Sequence, residues 1–275
     1  MKKIIYLAIA ALISLSSCAP AYFKDAKYFV NTKGDKLAVM FISPSDNIIY
    51  TNHKSPEIAG FDTLSDDAKN EALKKNSLFL SKLNNSTVYE LFVNKFLKSF
   101  AGLGLDVYTK EFENEFNKNQ NKLTIDLSQI EFDEYFDMVK DEKTYFGKHY
   151  YNDTYINAFA INVWIDYIKQ DNRKLLFASN RITDYHKGWF ETGYYENDIY
   201  YYEDNIAMDF EHLEYFLDVV ARRYAEYMYD YILTDYVSEK QAALQKPLPN
   251  ATLHFNSKKN KIYTVEDNYK FVEIK

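Results

Sequence analysis

Apolar residues in this chain recur at two different spacings, and the spacing changes several times between the ends. Lys36-Leu37-Ala38-Val39-Met40-Phe41-Ile42 is a continuous apolar run closed by Ser43-Pro44-Ser45-Asp46-Asn47. Such a run suits a strand buried on both faces. Residues 46–64 read as loop, with room for one short strand at Ile48-Ile49-Tyr50. Ser65-Asp66-Asp67 supplies a capping side chain and acids for the positive end of a helix over 66–75. Thr87-Val88-Tyr89-Glu90 has capping-box spacing, and behind it Val88, Leu91, Phe92, Phe96 and Phe100 step by three and four. That pattern predicts an amphipathic helix over about 87–101, stopped by Gly102 and Gly104.

The period then falls to two. Leu123, Ile125 and Leu127 alternate with polar residues, and Ile130, Phe132 and Phe136 continue in a shifted register. A bulge near Ser128 or Gln129 accounts for the shift. Tyr155, Phe159, Ile161, Val163, Ile165 and Tyr167 mark the next strand, with Asn157 as the polar exception on that face. Asp171-Asn172 is a turn signal, and Lys174–Ser179 reads as the antiparallel partner. From Ile206 the helical step returns through Phe210, Leu213, Leu217, Val220, Tyr224, Tyr227 and Tyr231, without Gly or Pro. The expected helix covers about 204–237. Past Pro247 and Pro249, Thr252–Phe255 and Ile262–Val265 suit two short strands. The fold class is therefore α+β: a mainly antiparallel sheet covered by the 87–101 helix and the long C-terminal helix. The expected divisions are a leader over 1–17, a tether over 18–35, one domain over 36–245, and a C-terminal extension over 246–275 that suits a short hairpin.

The first 18 residues carry the most specific signal. Met1-Lys2-Lys3 precedes the apolar run Ile4–Ile13, and Leu15-Ser16-Ser17-Cys18 follows. A charged start, a short apolar run and small residues make up an export signal. The run is shorter than the roughly 20 residues a membrane-spanning helix needs. Leu15-Ser16-Ser17-Cys18 resembles the lipobox of bacterial lipoproteins. The resemblance implies diacylglycerol on the Cys18 thiol, removal of the leader before it, and a membrane held through that lipid. Cys18 is the only cysteine in the chain, so no internal disulfide competes for it. No aspartate follows Cys18 directly, and the Asn-, Lys- and Tyr-rich composition is similar to that of Bacteroidetes lipoproteins. The acidic run that some lipoproteins of that phylum use for surface export does not follow Cys18 either, and together the missing signals point by resemblance to the outer membrane, periplasmic face.

Charge narrows the partners. The 33 basic and 40 acidic residues give −7, and loss of Lys2 and Lys3 with the leader lowers this further. An acidic body lacks the basic stripe that nucleic acid requires, and its overall charge also argues against tight binding to an anionic membrane through basic residues. Phosphate-cradling Gly loops, a Gly-x-Ser-x-Gly elbow and His-x-x-x-His spacing do not occur in the sequence. Acidic pairs such as Asp66-Asp67, Asp133-Glu134 and Glu203-Asp204 suit solvated faces. Asp153-x-x-x-Asn157 lacks the spacing of a calcium loop. The expectation is no catalytic residues, no metal and no cofactor.

One local feature stands above the background in a chain holding 26 Tyr and 20 Phe. Tyr185, Trp189, Phe190, Tyr194, Tyr195, Tyr200, Tyr201 and Tyr202 crowd one aperiodic stretch. Such rings form an interface core or hold sugar rings, unless they pack beneath the domain. Over roughly 36–238 the element order is similar to that of accessory lipoproteins of envelope transport and assembly machines, with no residue motif to carry over. That resemblance implies a non-enzymatic interaction or assembly subunit with a protein partner in the envelope. The alternative is a glycan-binding or glycan-cleaving lipoprotein using residues 185–202.

Overall fold

A computed structural model describes residues 20–274, apart from 21, 45–46, 55–59, 76, 197–198, 202–205, 249–250 and 266–269. The chain opens with helix α1 (Tyr22–Lys36), then strands β1 (Ala38–Ile42) and β2 (Ile48–Asn52) and helix α2 (Asp66–Lys75). Helix α3 begins at Asn85–Val88, widens into a π-turn over Tyr89–Val93 and continues over Asn94–Ala101. Strand β3 (Asp106–Tyr108) and the short α4 (Glu113–Asn117) lead into β4 (Lys122–Tyr145), β5 (Lys148–Lys169) and β6 (Asn172–Thr183). A single turn, α5 (Trp189–Thr192), and strands β7 (Tyr194–Glu196) and β8 (Ile199–Tyr201) precede the long α6 (Phe210–Ala243). Strands β9 (Thr252–Asn256), β10 (Lys261–Val265) and β11 (Val272–Ile274) close the chain.

The main sheet has the order β11-β6-β5-β4-β1-β3, and β2 also pairs with β4. β4, β5, β6 and β11 are antiparallel neighbours, whereas β1 and β2 run parallel to β4. β1 lies against Lys122–Asp126 and β2 against Ile130–Glu134, end to end along one edge of β4. The register of β4 against β5 shifts between Asp126 and Gln129, where the phase of the apolar residues changed. That bulge keeps Ile125, Leu127, Ile130 and Phe132 all buried although their spacing is uneven.

One face of the sheet is closed by α3 and α6, with Phe92, Phe96 and Phe100 fully buried between them and the strands. Phe96 stacks on Phe41 at 5.5 Å between ring centroids, and Phe92 meets Tyr224 edge-on at 6.1 Å. The amphipathic pattern of α3 is expressed, but its cap differs from the expected box. Asn84 accepts the Thr87 N–H at 3.0 Å, so the helix starts two residues early and Thr87 lies inside it. α6 starts at Phe210, a few residues after the expected 204, because Asp209 accepts the His212 N–H and His212 reaches back to the Asp209 backbone. Leu213, Leu217, Val220 and Tyr224 are buried as the seam requires, whereas Ile206 precedes the helix and is exposed.

Residues 22–36, expected within a tether, are helical and packed. Phe29 meets Tyr229 and Tyr236 of α6, and Asp25 pairs with Lys240 at 3.1 Å. The C-terminal half of α6 is consequently buried beyond one seam, at Met228, Tyr229, Ile232 and Leu233. The sequence 252–265 forms the hairpin β9–β10, which packs on α6, and β11 then joins the main sheet beside β6. Among the described residues no helix is long and apolar enough to cross a membrane.

Candidate interaction surface

Strands β4 and β5 outrun the sheet that holds them. β6 pairs with β5 only as far as Ala158, and β2 pairs with β4 only as far as Glu134. Beyond those points, among the described residues, Tyr135–Tyr145 and Lys148–Ile156 make strand pairs only with each other, Asn157 also bonding the Asp184 backbone at 2.9 Å. The ten residues from Phe136 to Tyr145 therefore form a two-stranded arm about 33 Å long at ~3.3 Å per residue.

The arm ends in a two-residue turn, Phe146-Gly147, with φ of 48° and 71°. Two positive φ values in a two-residue loop define a type I′ turn, whose twist matches that of the flanking strands. Gly147 suits its place. Phe146 does not, because a bulky side chain in left-handed backbone is disfavoured, where Asn or Asp would be at ease. Its ring makes no compensating burial, being 89% exposed beside Tyr145.

The two faces of the arm differ. Alternation from the buried row Ile130, Phe132, Glu134 brings Phe136 and Met138 to the same face. Alternation from Ile161 and Phe159 brings Tyr155 and Tyr151 there from β5. This is the core face of the sheet continued past its helical cover, and Tyr155 and Tyr151 stand 67% and 79% exposed. The opposite face is partly covered: Ile156 is buried, and residues 181–192 are fastened along β4. Arg181 pairs with Asp137 at 2.7 Å, His186 with Asp141 at 2.7 Å, and Lys143 Nζ donates to the Phe190 carbonyl at 3.4 Å.

The root of the arm is held by a buried polar network. Glu134 is fully buried and accepts the N–H groups of Leu78, Phe79 and Leu80 at 3.0, 3.0 and 3.2 Å. Lys54 Nζ donates to it at 2.6 Å, and the Ser77 hydroxyl donates as well. Burial works to raise the Glu134 carboxyl, but the bonds from Lys54, Ser77 and the Phe79 N–H together hold it below the usual range. Lys54 also donates to Asn157 Oδ1 at 2.8 Å, and Asn157 Nδ2 to Asp184 at 2.6 Å. Asp184 in turn accepts the Met208 N–H at 2.8 Å. Four separate segments are thus tied where β4 and β5 leave the sheet. Asp133-Glu134, expected on a solvated face, is instead split, with Glu134 in this network and Asp133 facing His53 at 3.4 Å.

The first part of the aromatic segment singled out by composition, residues 186–192, lies against this arm. Tyr185 is exposed and bridges Ile206 through its backbone, both bonds 2.9 Å. Phe190 is half-buried and Tyr194 exposed. In the small β7–β8 hairpin Tyr194 opposes Tyr201 and Tyr195 opposes Tyr200. The side chains of Trp189, Tyr195, Tyr200 and Tyr201, and all of Tyr202 and Cys18, lie outside the described residues. Sequence reasoning missed Phe136, Met138, Tyr145, Phe146, Tyr151 and Tyr155. The available signal was Phe146-Gly147 flanked by long stretches free of Pro and Gly, a hairpin cue hidden by the lack of apolar alternation around it.

Charged clusters elsewhere are internally satisfied. Asp235 accepts from the Tyr167 hydroxyl at 2.9 Å, Lys174 at 3.0 Å and Lys169 at 3.3 Å. Burial, the largest influence, and the charge of Asp235 push the Tyr167 hydroxyl well up. His53, His186, His212 and His254 each face an aspartate, and His149 bonds the Thr144 hydroxyl at 2.8 Å. No protein-family model, curated protein or solved structure matches the chain.

Proposed function

We propose that this chain is a bacterial lipoprotein, lipidated at Cys18, that serves as a non-enzymatic interaction or assembly subunit of an envelope complex on the periplasmic face of the outer membrane. Its docking element is the β4–β5 arm together with the aromatic segment strapped along it. The observation that carries this is Phe146, an exposed ring kept in disfavoured left-handed backbone at the tip of the arm. A residue that costs backbone strain and gains no burial does nothing for folding, so its use lies in what it touches.

Geometry supports the division of labour. α1 begins only four residues after Cys18. Its first turns meet the end of α6 through Asp25 and Lys240, and that end of α6 meets the end of β5 through Glu239 and Lys169. The arm tip lies at the other end of β5, 22 residues away, or about 70 Å at ~3.3 Å per residue. The start of α1 and the aromatic tip therefore lie far apart, which supports a subunit tethered through Cys18 and reaching for a partner. Exposed strand edges on the arm also offer backbone pairing to an extended segment.

Mass spectrometry of the processed amino terminus tests the anchor, and an unmodified terminus or a cut elsewhere overturns it. Cross-linking from the arm in intact envelopes tests the docking element. The expected result is a defined protein partner for the native chain, lost in Phe146→Asn with the fold intact. Equal recovery from both proteins overturns the role of the tip.

A further inference from the structure

On the acidic body as a whole, one cavity is lined by lysines and amides, with no acid among its described lining residues. A cavity of about 380 Å³ opens between α1 and the β9–β10 hairpin. Lys27 and Asn31 border it from α1, Lys261 and Asn260 from the hairpin, and Val30 and Phe255 form an apolar floor. Lys258 and Lys259 occupy the adjoining hairpin turn. Among the described residues none of these four lysines is in an ion pair. Two described acids near it point to other partners. Asp25 is held by Lys240 and Gln241, Asp230 by His254, and Glu226 acts on His254.

We infer that this cavity binds a phosphate-bearing anion, and specifically the headgroup of an anionic phospholipid in the membrane that holds the chain. The inference rests on the lipid anchor proposed above. Two ammonium groups and two amides supply donors for phosphate oxygens, and the apolar floor suits the glycerol portion of a lipid rather than a bare ion. Proximity favours the membrane as the source. Lys27 is four residue steps of chain and five of helix from Cys18, a reach of at most about 22 Å. Headgroup binding at this face would fix how the body sits on the bilayer, which a single flexible tether does not. Net charge hides such a site, because attraction to a surface falls off within about a Debye length and depends on the nearest charges.

The test uses the processed, lipidated protein in vesicles of phosphatidylcholine, with or without about one-third phosphatidylglycerol. Amine-reactive labelling of Lys27 and Lys261 is read by mass spectrometry against Lys148 near the arm tip. The anionic lipid is expected to slow the two cavity lysines at least threefold relative to Lys148, with high salt restoring the rate. Identical rate ratios in the two vesicles overturn the inference. Equal protection of detergent-solubilised protein by millimolar inorganic phosphate overturns the lipid source. Flotation with the phosphatidylcholine vesicles reports separately on the anchor: a chain that does not float fails that earlier proposal instead.

Discussion

Replacing Glu134 by Gln should be among the most damaging single changes in the molecule, although it alters one atom. The side chain is fully buried, and its ordinary neighbour Lys54 is only 10% exposed, so neither is screened by water. The carboxylate receives three backbone N–H groups, one hydroxyl and one ammonium. An amide can accept through one oxygen only, and its NH₂ would face donors. Lys54 would be left as a buried charge with Asn157 alone. Breaking a buried pair by removing one partner costs about 3–5 kcal/mol. For a chain of this size that is a fall of roughly 6–20 °C in melting temperature. Urea unfolding followed by near-ultraviolet circular dichroism measures the loss, and hydrogen exchange at residues 77–80 locates it. The double variant Lys54→Met with Glu134→Gln should recover part of the loss, because the stranded charge is gone while the orphaned N–H groups remain. A loss under about 1 kcal/mol in the single variant, or no recovery in the double, would refute the account of this network.

Other outcomes follow from the same geometry. Phe146→Asn should leave stability unchanged or slightly raised, by a few tenths of a kcal/mol in a urea titration, since Asn fits the left-handed turn better. The β9–β10 hairpin should loosen from α6 as pH rises. Its bond to Asp230 raises His254, while burial, the largest influence, raises Asp230 despite the opposing pull of His254. For both groups the folded form binds protons more tightly than the unfolded one. His254 contributes fully below the ordinary histidine pKa and loses that contribution as pH climbs through its raised value, while Asp230 contributes fully only below the ordinary aspartate pKa and loses it as pH climbs through its own raised value. Amide exchange at Leu253 and Phe255, corrected for intrinsic rate, should accelerate on that rise, and His254→Gln should abolish the dependence. Phe96→Ala should cost about 3–5 kcal/mol in the same urea assay, because the ring is fully buried between Phe41 and Phe100.

What the sequence determined by itself is local. Periods of 3.6 and 2 located α3, α6 and the β4 bulge, because an element that buries one face writes that face into its spacing, while β1 was legible as an unbroken apolar run and the β5–β6 turn through Asp171-Asn172. The resemblance of Leu15–Cys18 to a lipobox is local in another way, since contiguous residues carry it. The arm is not written that way. Beyond Glu134 no helix among the described residues covers the core face of the two strands, so nothing enforces apolar alternation there, and Phe136, Met138, Tyr151 and Tyr155 share a face only through the β4–β5 register. Glu134 looks like any surface acid until residues 77–80 bring three N–H groups to it. α1 reads as a tether because its buried residues, Ala26, Phe29 and Val30, are too few to set a period. The lysine cavity joins residues 27–31 to 255–262 across most of the chain. Contacts between distant segments are decided by how elements pack, and no window of neighbouring residues contains that information.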